Sequence, residues 1–273
     1  EAIRKEQNFT TLRYHRLDDL EASIALSPCK LCTYCFNGKE SRRRTQVKGN
    51  QMIKIILWDA DGTLLDFEKS EKYCIGRCLE EIGFSGYDDA MLARYGQIND
   101  RYWKALERGE ISKQEVLTGR FRTFFESEHI PCDDVEAFNQ AYQKSLGEHF
   151  FENENSLALC RKLCGTADQY IVTNGTAKAQ KNKLRTSGLE SCMKGVFISD
   201  EIGVEKPGKG FFDAVFQTIG PVERSSVMIV GDSLTSDMKG GNHAGIRCCW
   251  YNPHGKLNTA GVRIDYEIRN LWE

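Results

Sequence analysis

No apolar run in this 273-residue chain approaches the ~20 residues that a membrane-spanning helix needs. A dominant charge is missing too. Thirty-seven Lys and Arg stand against 39 Asp and Glu, a formal net charge of -2. There is therefore no basic footprint for neutralising the phosphates of a nucleic-acid polymer. The chain does not open with an apolar segment led by basic residues and closed by small ones, so secretion is not expected. Internal repeats and low-complexity tracts are absent as well. Membrane and nucleic-acid partners are thus not expected, and nothing in the pattern sets an oligomeric state.

What is present is ordinary in bulk. Hydrophobic residues make up 40% and charged residues 28%, enough for a globular fold with an ample core. Eleven cysteines are many, and an odd number cannot all pair within one chain. Cys74 and Cys78, like Cys160 and Cys164, are spaced four apart in helical patterns, and Cys248 and Cys249 sit in an apolar run. They read as small core hydrophobes in a reducing compartment, which places the chain in the cytoplasm.

Residues 1–51 differ in character from the rest. They lack a sustained apolar period and include Arg42, Arg43 and Arg44. Cys29, Cys32 and Cys35 have a metal-like spacing, but no suitably placed fourth cysteine follows. Met52 stands directly before the first strand pattern, and Lys48-Gly-Asn-Gln51 requires a purine-rich coding run that resembles a bacterial ribosome-binding site. The expectation is that 1–51 is upstream sequence read through from a misassigned start.

The most informative stretch follows. Residues 53–58, Ile-Lys-Ile-Ile-Leu-Trp, form an apolar run of strand length that ends in Asp59-Ala60-Asp61-Gly62-Thr63. Such a run reads as a buried parallel strand. It delivers two acids to the carboxyl edge of a sheet, where open α/β folds bind ligands. Acids that close repel unless a cation lies between them or one holds a proton. A calcium loop is the obvious alternative, but the glycine comes too early and its twelfth position is Ser70 rather than Glu.

Between about residues 69 and 150 only helical periods occur. Met91, Tyr95, Ile98, Tyr102 and Leu106 make one stripe. Ser112 and Glu115 suggest a capping box ahead of Val116, Leu117, Phe121, Phe124 and Phe125. Asp133 or Asp134 starts a further helix carrying Val135, Phe138 and Tyr142. Afterwards strands (170–173, 196–199, 227–231, 247–251) alternate with helices (177–187, 208–219, 236–244). The pattern predicts an α/β fold: a Rossmann-like, doubly wound parallel sheet spanning 52–66 and 151–273, with a helical-bundle cap inserted over 67–150.

The same grammar recurs at three more strand ends. Thr173-Asn174-Gly175 offers donors for phosphate oxygens beside a helix N-terminus. Lys206, held extended by Pro207, is a point charge suited to a phosphoryl oxygen. Asp232, with Asp237 five residues on, suits a hard cation. Singly these read as a common turn, a solvated lysine and a helix cap. Together, at one sheet edge, they supply what phosphoryl transfer requires.

These four ordered motifs resemble those of the haloacid dehalogenase superfamily. More finely, residues 198–207, Gly231-Asp232-Ser-Leu-Thr-Ser-Asp237, Cys249-Trp-Tyr-Asn-Pro253 and Tyr266-Glu-Ile268 resemble the noncanonical pyrimidine nucleotidase branch. Residues 102–111 and 119–121 resemble the cap of that branch. The chain ends at Leu271-Trp-Glu273, where such proteins continue a final helix.

The resemblance implies a magnesium-dependent 5′-nucleotidase for pyrimidine nucleoside monophosphates. Asp59 would be the nucleophile and Asp61 the acid and base. Thr173, the Asn174 backbone and Lys206 would hold phosphate. Asp59, Asp232 and the Asp61 carbonyl would bind Mg2+, supported by Gly62, Thr63 and Asp237. Trp103, Tyr102 and Arg120 are candidate base or ribose contacts, though aromatics at helical spacing also read as bundle core. Alternatives are a phosphatase for a sugar phosphate or phosphoglycolate, or a non-catalytic module on this fold, which would be expected to lack a motif residue.

Overall fold

The structure, a computed structural model, describes residues 52–273; the expected extension 1–51, with Cys29, Cys32 and Cys35, lies outside the described residues. Among them six strands form one parallel sheet: β1 (Ile55–Trp58), β2 (Asp168–Thr173), β3 (Gly195–Ile198), β4 (Val227–Gly231), β5 (Arg247–Tyr251) and β6 (Tyr266–Ile268). Their order is β3-β2-β1-β4-β5-β6. β1 lies between β2 and β4, with Ile55 opposite Asp168 and Val227.

The period of two assigns each strand residue a face. Ile55, Leu57, Val227, Ile229, Cys248 and Trp250 point to one side and pack with Phe211, Phe212, Val215 and Met238. These come from α8 (Lys209–Ile219) and the segment before α9 (Lys239–Ala244). Trp58, Ile171, Val230, Cys249 and Tyr251 point to the other side, against Leu159, Cys160 and Leu184 of α5 (Ser156–Leu163) and α6 (Ala177–Ser187). Burial on both faces is why these strands are apolar without alternation.

Four helices lie between β1 and α5: α1 (Phe67–Glu81), α2 (Asp89–Glu107), α3 (Lys113–Glu128) and α4 (Val135–Glu148). Side chains of Asp66, Asp88, Ser112 and Asp134 cap their N-termini, so of the two aspartates in the sequence Asp134 is the one used. Tyr95, Phe121, Phe124, Phe138 and Tyr142 form their shared core, joined by Ala179 of α6. Where the helices leave the sheet and return, the chain pairs with itself. Leu65 bridges Glu152 in antiparallel fashion, and the Asp66 amide donates to the Phe151 carbonyl at 2.9 Å.

The structure departs from expectation in short elements. The three-residue β6 was not expected as a strand, nor were α5 and the one-turn α7 (Ser199–Ile202) as helices. The helix expected over 236–244 begins earlier, as a π-turn at Leu234–Met238, before α9. Brief elements carry too little periodicity to stand out, and the π-turn is fixed by the site it serves.

Candidate active site

Strand order reverses direction between β1 and β4, which opens a crevice at their carboxyl ends. Asp59 follows β1, its amide still donating to the Val230 carbonyl at 2.9 Å. Lys206 reaches in from the loop before α8, and its Nζ donates to Asp59 Oδ1 at 2.7 Å, Asp237 Oδ1 at 2.6 Å and the Val172 carbonyl at 2.7 Å. Asn174 ties that loop to the end of β2. Its side-chain amide donates to the Lys206 carbonyl at 2.9 Å and accepts from the Lys206 amide at 2.8 Å. Thr173 is buried beside it.

Asp232 follows β4. Its approach to β1 depends on Gly62, whose φ of +87° and backbone position leave no room for a side chain; a Cβ there would meet the Asp232 carboxylate at 2.8 Å. Thr63 Oγ1 donates to Asp232 Oδ1 at 3.4 Å, and the Trp250 indole donates to the Asp232 carbonyl at 2.8 Å. The π-turn points Asp237 back at its own start, where Oδ2 accepts the Ser233 amide at 3.1 Å.

Asp59, Asp232 and Asp237 can each bring a carboxylate oxygen within 4.8 Å of the others. Burial, then Asp237, pushes Asp59 well above the carboxylate range, with Lys206 opposing. Enclosure in the cleft, then Asp237, pushes Asp232 up to about 7, although its side chain still meets solvent. Burial works against the charge on Lys206, yet Asp237 and Asp59 hold its ammonium above the ordinary lysine range. Three acids thus share one lysine. The set is all hard oxygen and under-neutralised, which fits a magnesium ion, and such a cation would reverse the elevation of its ligands.

Asp61 stands on the wall of the same crevice, outside the three-acid cluster. Both its oxygens accept from Lys183 Nζ, at 2.5 and 2.6 Å, and Oδ2 accepts from Gln180 Nε2 at 2.7 Å. Its carboxylate is therefore held by α6 at the cleft wall and apart from the acid cluster, so its carbonyl is the expected metal ligand.

Above these groups lies a cleft of about 660 Å³ between the sheet edge and the helical cap, within the range of small-molecule sites. Trp103, Asp100, Lys104 and Glu107 of α2 and Gln143 of α4 line it. Several polar ties hold the cap over the crevice. Thr235 donates to Glu107 at 2.5 Å, Thr176 donates to Gln143 at 2.7 Å, and Lys113 Nζ lies 3.2 Å from both Ser199 Oγ and Asp200. Burial pushes Glu107 up to about 7, with the Thr235 hydroxyl pulling the other way.

The structure thus brings together Asp59, Asp61, Gly62, Thr63, Thr173, Asn174, Lys206, Asp232 and Asp237. Of the three cap candidates, Trp103 lines the cleft. Tyr102 does not: it packs into the cap core and its hydroxyl meets Thr123 at 2.8 Å. Arg120 is only 1% exposed. It reaches the cleft wall from beneath, bonded to Asn99 at 2.7 Å and Asn139 at 3.3 Å. Sequence reasoning missed Gln180, Lys183, Glu107 and Lys113. The i, i+3 spacing of Gln180 and Lys183, in the helix after the Thr-Asn-Gly turn, was the one available signal.

The model of the haloacid dehalogenase-like hydrolases matches residues 53–245. The HAD-hydrolase YfnB of Bacillus subtilis is 36% identical over 220 residues, covering 81% of this chain and 93% of that protein. Its crystal structure, bound to magnesium, superposes with a TM-score of 0.77 at 35% identity, covering 81% of this chain and 96% of that one. Pyrimidine 5′-nucleotidase PynA of Streptococcus pneumoniae is 35% identical over 79% of this chain and 90% of its own length. Pyrimidine 5′-nucleotidase YjjG of Escherichia coli is 28% identical over 80% and 94% respectively. With an acid closing its central strand, its switch-point crevice and these relatives, the chain belongs to the haloacid dehalogenase-like hydrolases.

Proposed function

We propose that this enzyme is a magnesium-dependent phosphatase that hydrolyses pyrimidine nucleoside 5′-monophosphates through an aspartyl-phosphate. The observation that carries the phosphatase reading is Asp59, fixed 2.7 Å from Lys206 in an all-oxygen cluster, with a second acid two residues on. Asp59 attacks phosphorus in line and forms the covalent intermediate. The Thr173 hydroxyl, the Asn174 backbone and Lys206 hold the phosphoryl oxygens as charge redistributes. Asp61 gives a proton to the departing sugar oxygen and takes one from the water that hydrolyses the intermediate. Asp59, Asp232 and the Asp61 carbonyl would hold magnesium, which would supply positive charge between nucleophile and phosphate. A dehalogenase has no leaving oxygen to protonate, so Asp61 favours an ester.

The nucleotide reading draws support from the names of PynA and YjjG and from the cleft wall, where Trp103 offers a stacking face and Gln143 an amide. Cytoplasmic residence is supported by eight free cysteines among the described residues. A competing reading, a sugar-phosphate phosphatase, draws on Asp100, Lys104 and Lys256 around the cleft, which suit hydroxyl-rich leaving groups. A panel of phosphate esters assayed with magnesium decides between them. Nucleoside monophosphates should lead, with Trp103→Ala raising KM about tenfold for nucleotides and sparing p-nitrophenyl phosphate. Equal rates on unrelated sugar phosphates would remove the nucleotide assignment.

A further inference from the structure

Asp59 and Asp61 sit two residues apart, and a lysine from a different element holds each. Lys206 serves Asp59, and Lys183 of α6 serves Asp61. The second pair is as deliberate as the first. Lys183 is 3% exposed and Gln180 1%, on a helix whose Lys178, Lys181 and Arg185 are exposed. Burying an ammonium is costly unless an acid receives it, and among the described residues Lys183 Nζ bonds to the Asp61 carboxylate.

Gln180 adds a third bond, and the chain makes room for it. A Cβ on Gly175 would lie 1.9 Å from Gln180 Nε2, so the glycine of the Thr-Asn-Gly turn is the space through which that amide reaches Asp61. A carboxylate accepts but does not donate. Three hydrogen bonds from two donor groups therefore fix both its rotation and its place on the cleft wall, where Asp61, Gln180 and Lys183 lie together. An unheld carboxylate would sample several rotamers, and misplacement by about 1 Å is enough to slow a proton transfer some 10²-fold.

We infer that Lys183 and Gln180 are positioning residues for Asp61, a clamp on α6 that holds its carboxyl group toward the leaving oxygen of the ester. The inference rests on the phosphatase reading above and extends it to residues outside the four motifs. It makes the clamp matter in proportion to how badly the leaving group needs a proton.

Two aryl esters test this, one with a poor leaving group (phenyl phosphate) and one with a good one (2,4-dinitrophenyl phosphate). Lys183→Met should lower kcat on phenyl phosphate about 10²-fold and on the dinitrophenyl ester less than about 3-fold. Lys183→Arg should restore most of the loss. In an Asp61→Asn background, Lys183→Met should cost nothing further. Equal losses on the two esters, or an undiminished loss in the Asp61→Asn background, would overturn the clamp. Should Lys183→Met not fold, Gln180→Ala leaves the ammonium in place and is expected to show the same leaving-group bias at about 5-fold; a uniform loss there is equally fatal. A wild-type enzyme that cleaves aryl phosphates but no nucleotide would discard the nucleotide assignment and leave the clamp standing. One inert to every phosphate ester would remove both.

Discussion

Two regions of this molecule bury an acid with a cation, and they do so in opposite ways. At the sheet edge Lys206 bonds Asp59 and Asp237 directly, at 2.7 and 2.6 Å, and Asp232 stands nearby with no lysine of its own. In the cap, Glu71 and Arg120 do not touch. Asn99 lies between them, donating to Glu71 at 2.6 Å and accepting from Arg120 at 2.7 Å. The cap network balances one acid with one base, while the sheet-edge cluster carries more acid than base. A balanced network can serve as scaffold, whereas an unbalanced one is incomplete until a cation or an anionic ligand's counter-ion arrives. For these two networks, that difference separates structure from site without reference to any motif.

The largest expected effect lies in the unbalanced cluster. Asp59→Asn should reduce turnover by at least about 10³-fold. The thermal midpoint should hold or rise, since one of three repelling carboxylates loses its charge. Retained activity would remove Asp59 as nucleophile. Metal removal comes next. A chelator should silence the enzyme, and magnesium at about a hundred times its Kd should stabilise the fold by roughly 2.7 kcal/mol. Asp232→Asn should abolish that gain. A melting curve indifferent to magnesium would contradict the incompleteness argument.

The balanced network should fail differently. Arg120→Met leaves Glu71 and Asn99 buried without their cation, and should cost about 3–5 kcal/mol in denaturant unfolding. A loss under about 1 kcal/mol would mean that the cap does not depend on its charge pair.

Smaller again is a dependence on pH. Burial pushes Glu71 up to about 7, against the pull of Arg120 and the Asn99 hydrogen bond. Below about 4.5, the ordinary value, folded and unfolded chains both hold this proton. Between there and about 7 only the folded chain keeps it, so stability falls as pH rises through that window and levels off above it. The full drop is about 3 kcal/mol. Other raised acids slope the same way, so the measurement is the difference between wild type and Glu71→Gln, whose curve should be flatter. Identical curves would exclude Glu71 as the source.

The parallel sheet and its cap were legible because their signals are local: a buried strand is an apolar run, and the strand-end acids follow it directly in sequence. Residues that act through distance were not. Beyond the i, i+3 spacing of Gln180 and Lys183, nothing in Ala177–Ser187, a polar helix, says that the two face inward; that is decided by Asp61, more than a hundred positions away. Tyr102 and Trp103 show the limit from the other side. Neighbours on a helix point about 100° apart, and the stripe through Tyr95 and Ile98 already assigned Tyr102 to the core. Motif likeness had grouped the two, whereas helical phase separates them.

Both stems of the cap emerge from the sheet at one place and are stitched to each other by the Leu65–Glu152 bridge. The chain therefore enters and leaves the cap at neighbouring points. A lid with paired stems is also a cassette: a different bundle of similar footprint can be spliced in at these two points while the acids below keep their register. Altered ester preference, in nature or by design, can then be sought by changing the lid while leaving the chemistry beneath it untouched.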